Sequence, residues 1–356
     1  MALFDRKKKE SQNVTPRKVQ TFDNDIFADA FERDDEQKRL FQEKLKQENA
    51  NRFQKNHPGF ESEFSKVLQT SAPKANNSIS DSSDSEFVKT EVMHAKSVAK
   101  FSEECSQKVG ACSVIGKRES QQDAYNVTDI NIKDFNEKPW MAVLCDGMGG
   151  MNGGEQASSL SVEKMIDAFY NRGNKQPPEF YHDTLIEIDD AVYSLKDEYG
   201  NLLGAGSTIV SVFIDGNKFY WASVGDSHIY VIRKKEMIRV NKEHNYYAEL
   251  EQLVKKGMMT IEEANNDKNK EALTSFIGIG SLHMMDINKK PLTLQKDDII
   301  VLCSDGLYRS VSDNEIYHIV VDNNSDMNVA AQALVDCAMS KNKKYQDNTT
   351  VITIRY

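Results

Sequence analysis

Two continuous apolar runs, Met141-Ala142-Val143-Leu144-Cys145 and Ile299-Ile300-Val301-Leu302-Cys303, lead into Asp-Gly, the first directly to Asp146-Gly147 and the second through Ser304 to Asp305-Gly306. Short apolar runs without alternation read as buried strands, so the fold must enclose two central strands and leave a carboxylate at the end of each. A third run, Phe219-Tyr220-Trp221-Ala222-Ser223-Val224, ends in Gly225-Asp226-Ser227, and Asp347-Asn348 opens a last strand over 349–354. One Asp-Gly after a strand is usually only a turn. Four acidic strand ends, two with the same apolar-Cys approach, are harder to treat as independent turns. Strand ends are rigid platforms, and carboxylates gathered on them repel one another unless something positive lies between. Hard divalent cations with oxygen ligands meet that need. The glycine after each Asp is expected to turn the backbone sharply and free a carbonyl as a further oxygen ligand.

The texture that carries these runs begins near residue 105. Strands are expected at 109–115, 140–145, 207–214, 218–223, 228–233, 298–304 and 349–355. Helices are expected at 154–171, 178–195, 246–256, 261–266, 313–321 and 326–341. Tight links such as Asp215-Gly216-Asn217 make the pairing largely antiparallel, with helices covering the outer faces. Residues 105–356 therefore read as one domain of about 250 residues. Arg118, on a strand-like stretch five residues before Asp123, is a further candidate because a guanidinium matches phosphate oxygens in a bidentate fork.

Residues 1–104 differ. Apolar residues are thin there, so this extension is expected to be largely disordered, with a short solvated helix near 34–53. The tract Asn76-Asn77-Ser78-Ile79-Ser80-Asp81-Ser82-Ser83-Asp84-Ser85-Glu86 has linker composition. Residues 1–100 hold 18 basic and 17 acidic side chains, which leaves 27 against 38 afterwards, and the formal net charge is −10. That balance argues against nucleic-acid binding. No run approaches the ~18 apolar residues of a membrane span, and five scattered cysteines without a C-x-x-C pair fit a reduced, cytoplasmic protein. Cys145 and Cys303 read as small apolar strand residues.

The ordered set resembles the metal-dependent serine/threonine protein phosphatases of the protein phosphatase 2C type, in bacterial style, over roughly 107–356. It comprises Arg118 with Gln122-Asp123, Asp146-Gly147-Met148-Gly149-Gly150 with Gly154-Glu155-Gln156-Ala157-Ser158, and Gly206-Ser207-Thr208. Val224-Gly225-Asp226-Ser227, Glu243-His244-Asn245, Leu253-Val254-Lys255-Lys256-Gly257, Glu262-Glu263-Ala264, Ser304-Asp305-Gly306-Leu307 and Asp347-Asn348-Thr349 complete it. The resemblance implies an α+β fold, a four-layer α-β-β-α sandwich with two central antiparallel sheets and helices on both outer faces. It also implies hydrolysis of phosphoserine and phosphothreonine in proteins, countering a serine/threonine kinase. Two Mn2+ or Mg2+ ions would be bridged by Asp146, with the Gly147 carbonyl on one, Asp305 and Asp347 on the other, and Asp123 in or beside the shell. Asp226 would serve a weaker third ion, Arg118 would bind substrate phosphate, and 245–280 would form a flap bearing on substrate choice. Gln121 and Gln122 depart from the family's usual Asn and Glu, and Ser275 stands where an Arg is often found. His228 and His244 are expected to be structural or surface residues rather than proton donors. A non-catalytic phosphoprotein-binding or scaffold protein on the same fold is the competing reading.

Overall fold

The computed structural model describes residues 107–128, 135, 137–149 and 153–356; the expected N-terminal extension and its helix near 34–53 lie outside them. Twelve strands are described, in chain order β1 (Val109–Val114), β2 (Asp123–Val127), β3 (Trp140–Met148), β4 (Gly206–Ser207), β5 (Ile209–Asp215), β6 (Lys218–Val224), β7 (His228–Arg233), β8 (Glu236–Arg239), β9 (Asp286–Ile287), β10 (Leu292–Thr293), β11 (Ile299–Cys303) and β12 (Thr349–Arg355). The helices are α1 (Gly153–Asn171), α2 (Pro177–Tyr193), α3 (Tyr246–Lys255), α4 (Ile261–Asn266), α5 (Asp305–Tyr308), α6 (Asp313–Asp322) and α7 (Met327–Ser340). One sheet runs β1-β12-β11-β7-β8. The other runs β10-β6-β5-β3-β2, with β4 on β3 and β9 on β6.

All the strand pairs are antiparallel, and strand periodicity sorts their side chains into three cores. Trp140, Ala142 and Leu144 of β3 meet Val210, Val212, Ile300, Leu302, Ile352 and Ile354 between the sheets. The intervening Met141, Val143 and Cys145 pack outward against Met165, Phe169, Leu185 and Ile188 of α1 and α2. Ile299, Val301 and Cys303 of β11 pack outward against Ile316, Val320, Leu334 and Ala338 of α6 and α7. Three cores between four layers explain why β3 and β11 read as unbroken apolar runs: both of their faces are buried.

Local chemistry ends the elements where the site needs them. Gly216, at φ +57°, opens the two-residue link between paired Asp215 and Lys218. Asn245 caps α3 by accepting from the Ala248 N–H, and Thr260–Glu263 and Ser312–Glu315 form capping boxes on α4 and α6. No helix among the described residues is long and apolar enough to cross a membrane.

Candidate active site

Strand parity aims the first two aspartates. Trp140, Ala142 and Leu144 face the inter-sheet core, so Asp146, next in that series, points into the gap between the sheets where the core ends. On β2, Val127 and Tyr125 belong to the same core, and Asp123 follows in step. Asp123 and Asp146 are register partners across the β2–β3 ladder. From the opposite sheet, Ser304 continues the inward series Ile300, Leu302, and its Oγ donates to Asp123 Oδ2 at 2.8 Å while accepting from the Thr350 N–H at 3.0 Å. The two sheets are thereby joined at the carboxylate.

Each motif has a mechanical job around these aspartates. Thr208 grips the main chain of Asp146 in both directions: its N–H donates to the Asp146 carbonyl at 2.8 Å and its Oγ1 accepts from the Asp146 N–H at 3.1 Å. Ser207 Oγ adds a bond to the same carbonyl at 3.0 Å. Asn348 Nδ2 donates to the carbonyls of Ile115 and Ser120 at 2.8 and 3.1 Å, and its Oδ1 accepts from the Gln122 N–H at 2.8 Å. That clamp fixes the β1–β2 loop. Arg118 lies on this loop, which follows β1 through Gly116 at φ +64°; the expected strand has already ended at Val114. Its guanidinium is exposed and Nη2 donates to Asp347 Oδ2 at 2.5 Å.

The glycines after the aspartates act otherwise than expected. Gly147 lies inside β3, which continues to Met148, and neither Gly147 nor Gly306 has a positive φ. They are required for space: a Cβ would lie 2.1 Å from the Gly154 carbonyl oxygen at Gly147, and 2.0 Å from the Asn348 carbonyl oxygen at Gly306. Of the residues before Asp146, Asp226, Asp305 and Asp347, only Gly225, φ +100°, takes the left-handed turn.

Five carboxylates share this end of the sandwich. Asp123 and Asp226 are buried, while Asp146, Asp305 and Asp347 keep a side open to solvent. Burial, partly offset by hydroxyl donors and reinforced by Asp347, pushes Asp123 up to about 6. Burial pushes Asp305 up to about 7, with Arg309 opposing and Asp226, Asp347 and Asp123 adding to the rise. Asp146 is raised well above the usual carboxylate range by burial and then by the charges of Asp123, Asp305, Asp226 and Asp347. Asp123 Oδ1 and Asp305 Oδ1 are buried with no hydrogen-bond donor. Among the described residues, no three His, Cys, Asp or Glu side chains close around a single point. The positive charge paired with these carboxylates comes from Arg118 on Asp347 and from Arg309 on Asp226 and Asp305.

Arg309 is the polar residue that sequence reasoning missed. Its local signal was the spacing of four from Asp305. His228 and His244 are structural, as expected: His228 is buried, bonded to Tyr230 and Glu243 and stacked on Tyr308 at 3.7 Å, and His244 Nδ1 accepts from the Gly225 N–H at 3.1 Å. Gln121 Oε1 accepts from the Asp123 N–H at 3.0 Å and Gln122 Nε2 donates to the Gly149 carbonyl at 3.2 Å. Ser275 Oγ donates to the Met284 carbonyl at 2.7 Å.

Cysteine chemistry is removed by placement, since the sequence does hold the C-x5-R spacing of cysteine phosphatases twice, at Cys112–Arg118 and Cys303–Arg309. Cys112 lies within β1, its Sγ bonded to Gln332 Oε1, and burial raises its thiol. Cys303 is fully buried on the helix side of β11, facing away from the aspartates, and its thiol is raised far above the ordinary range by burial. In both, burial favours the neutral thiol over the thiolate that a nucleophile needs.

A family profile for protein phosphatase 2C matches residues 107–347, more than half of the chain. The chain belongs to the protein phosphatase 2C family. By class it is a serine/threonine protein phosphatase. Protein phosphatase PhpP of Streptococcus pneumoniae is 29% identical over 218 residues, covering 60% of this chain and 85% of the relative. The solved serine/threonine phosphatase of S. agalactiae matches with a TM-score of 0.58 at 26% identity, over 70% of this chain and 98% of that one. The catalytic domain of the phosphatase PstP, solved in complex with two manganese ions, shares the fold at a TM-score of 0.55 and 23% identity, over 70% of this chain and 97% of that one. The four-layer sandwich of the 2C family is thus the fold of this chain.

Proposed function

We propose that the chain hydrolyses phosphoserine and phosphothreonine in cytoplasmic proteins, countering a serine/threonine kinase, at a site holding two divalent cations, Mn2+ or Mg2+. The observation that carries this reading is the pair of orphaned buried oxygens, Asp123 Oδ1 at the start of β2 and Asp305 Oδ1 at the start of α5, just past β11 of the other sheet. A buried acceptor without a donor costs about 1–3 kcal/mol, and these two sit among three further carboxylates. Asp123, Asp146, the Gly147 carbonyl, Asp305 and Asp347 form an all-oxygen donor set, which suits hard cations. Two such ions supply a water of lowered pKa for in-line attack on phosphorus and charge for the phosphoryl oxygens.

The chain's own residues do the rest. Thr208 and Ser207 hold the Asp146 main chain, and Ser304 holds one oxygen of Asp123, leaving the other free. Arg118, exposed and paired among the described residues with Asp347 at the rim, is placed to exchange that carboxylate for a phosphoryl group as a bidentate fork. The 245–280 flap is rooted beside the site, with Ile277 and Ser207 exchanging backbone bonds at 2.8 and 3.0 Å. Asp189 of α2 accepts from the N–H groups of Gly278, Ile279 and Leu282. That position makes the flap a wall against which a protein substrate lies.

The test is hydrolysis of a phosphothreonine peptide with Mn2+, Mg2+ or EDTA. Release in Mn2+, lost in EDTA and lowered by about a hundredfold or more in Asp305→Asn, is expected; no release under any condition sinks the enzymatic reading in favour of the binding module. Arg118→Lys keeps the charge and loses the fork, so kcat/KM is expected to fall roughly tenfold to a hundredfold. Calorimetric Mn2+ affinity should be nearly unchanged. A loss of Mn2+ binding equal to the loss of activity would place Arg118 with the ions rather than the substrate.

A further inference from the structure

Arg309 follows α5 and gives one guanidinium nitrogen to each of three carboxylates from separate segments. Nε meets Asp305 Oδ2 at 2.9 Å, Nη2 meets Asp226 Oδ2 at 3.5 Å and Nη1 meets Glu271 Oε2 at 2.6 Å. The Arg309 carbonyl accepts from Lys343 Nζ, which pins the main chain as well. Asp226 is the residue expected to serve a weaker third cation, yet its buried carboxylate already faces a permanent positive charge. A guanidinium stays protonated at every relevant pH and is weakly hydrated, so it serves as a fixed counter-charge where an ion would exchange. A cation entering between Asp226 and Asp305 would meet that charge at close range and be repelled. The third partner, Glu271, belongs to the 245–280 flap, and among the described residues Arg309 is its ion-pair partner.

We infer that Arg309 takes the place of a third cation at Asp226 and Asp305, and that it is a positioning residue tying the 267–273 loop of the flap to the site through Glu271. The first half rests on the two-cation reading above; the tie to Glu271 does not.

Calorimetric Mn2+ titration and hydrogen exchange separate the two halves. Wild type is expected to bind two Mn2+ per chain, Arg309→Ala to gain a third, weaker equivalent, and Arg309→Lys, which retains the charge, to stay at two. A wild type that binds three, or an Arg309→Ala protein that stays at two, overturns the replacement. A wild type that binds none overturns it together with the two-cation reading, and the tie is then judged by exchange alone. In EDTA, amides of 267–273 are expected to exchange about two- to fivefold faster in Glu271→Gln than in wild type, the range for one part-exposed ion pair. Equal exchange overturns the tie. In Mn2+, Glu271→Gln should raise KM for a phosphothreonine peptide by a similar factor and leave kcat for para-nitrophenyl phosphate unchanged. An equal fall in kcat on both substrates would instead make Glu271 part of the chemistry and overturn the positioning role.

Discussion

Asp146→Asn is expected to raise the melting temperature of the metal-free protein while lowering phosphatase activity by on the order of a thousandfold. The two effects have one origin. Burial and four neighbouring carboxylates raise Asp146 well above the ordinary range, so its charged form is the unfavourable one when no cation is present. Asparagine removes that charge and keeps the shape. Because Asp146 retains an opening to solvent, water screens part of the repulsion and the gain is set at about 2–4 °C, the shift that ~1 kcal/mol gives in a domain of this size.

The same physics fixes the sign of the pH dependence. Asp123 and Asp305 stand at about 6 and about 7 in the folded chain, against an ordinary value of 3.8. Folded-state values above the unfolded ones mean that the folded protein holds more protons through that interval, so stability is fully present below about pH 4 and is lost as pH rises through about 6 and 7. Melting temperature in EDTA should therefore fall across this window as far as these groups govern it. In Mn2+ the slope should reverse, because cations bind the ionised carboxylates. Melts in EDTA and in Mn2+ between about pH 5 and 8, for wild type and Asp146→Asn, check both claims. A wild-type melting temperature that rises with pH in EDTA would falsify the account of these carboxylates as raised by burial and by one another's charge.

What was legible in the sequence follows from where each residue is buried. β3 and β11 carry apolar side chains on two faces, one against the other sheet and one against helices, so they could be read without alignment or structure. β2 was not foreseen because Asp123-Ala124-Tyr125-Asn126-Val127 opens on a site carboxylate and includes Asn, both poor strand formers. β8 was missed for another reason: it is a short edge strand with no fully buried residue. The aspartates could be picked out because four of them follow or precede apolar runs. For Arg309 the sequence offers only the spacing of four from Asp305, since its other partners, Asp226 and Glu271, are far away in sequence and brought to it by the fold. The C-x5-R spacings show the converse case, in which a local pattern carries no chemistry because strand parity turns Cys303 away from the aspartates.

Gly147→Ala is expected to cost about 3 kcal/mol or more in stability and at least about a hundredfold in activity, although alanine is at ease with the backbone torsions there. The obstacle is room. The added methyl would sit 2.1 Å from the Gly154 carbonyl oxygen and 2.7 Å from that of Gln122, both main-chain atoms that no rotamer change can withdraw. Gly147 N–H also donates to the Gln122 carbonyl at 3.0 Å, so the approach to β2 is part of the sheet at the aspartates. Relief requires moving the start of α1 or the loop before β2, and either shift displaces Asp123 or Asp146 from the other. Gly200→Ala is the comparison. Gly200 has φ +85° and nothing within 4 Å of its added Cβ, so alanine there should cost only the torsional ~1–2 kcal/mol and leave turnover intact. Denaturant unfolding and phosphopeptide turnover on both variants distinguish the two roles. Similar losses of stability with activity kept in both would mean that the glycine after Asp146 serves the turn that its sequence suggests, and that the close approach of α1 does not position Asp123 and Asp146.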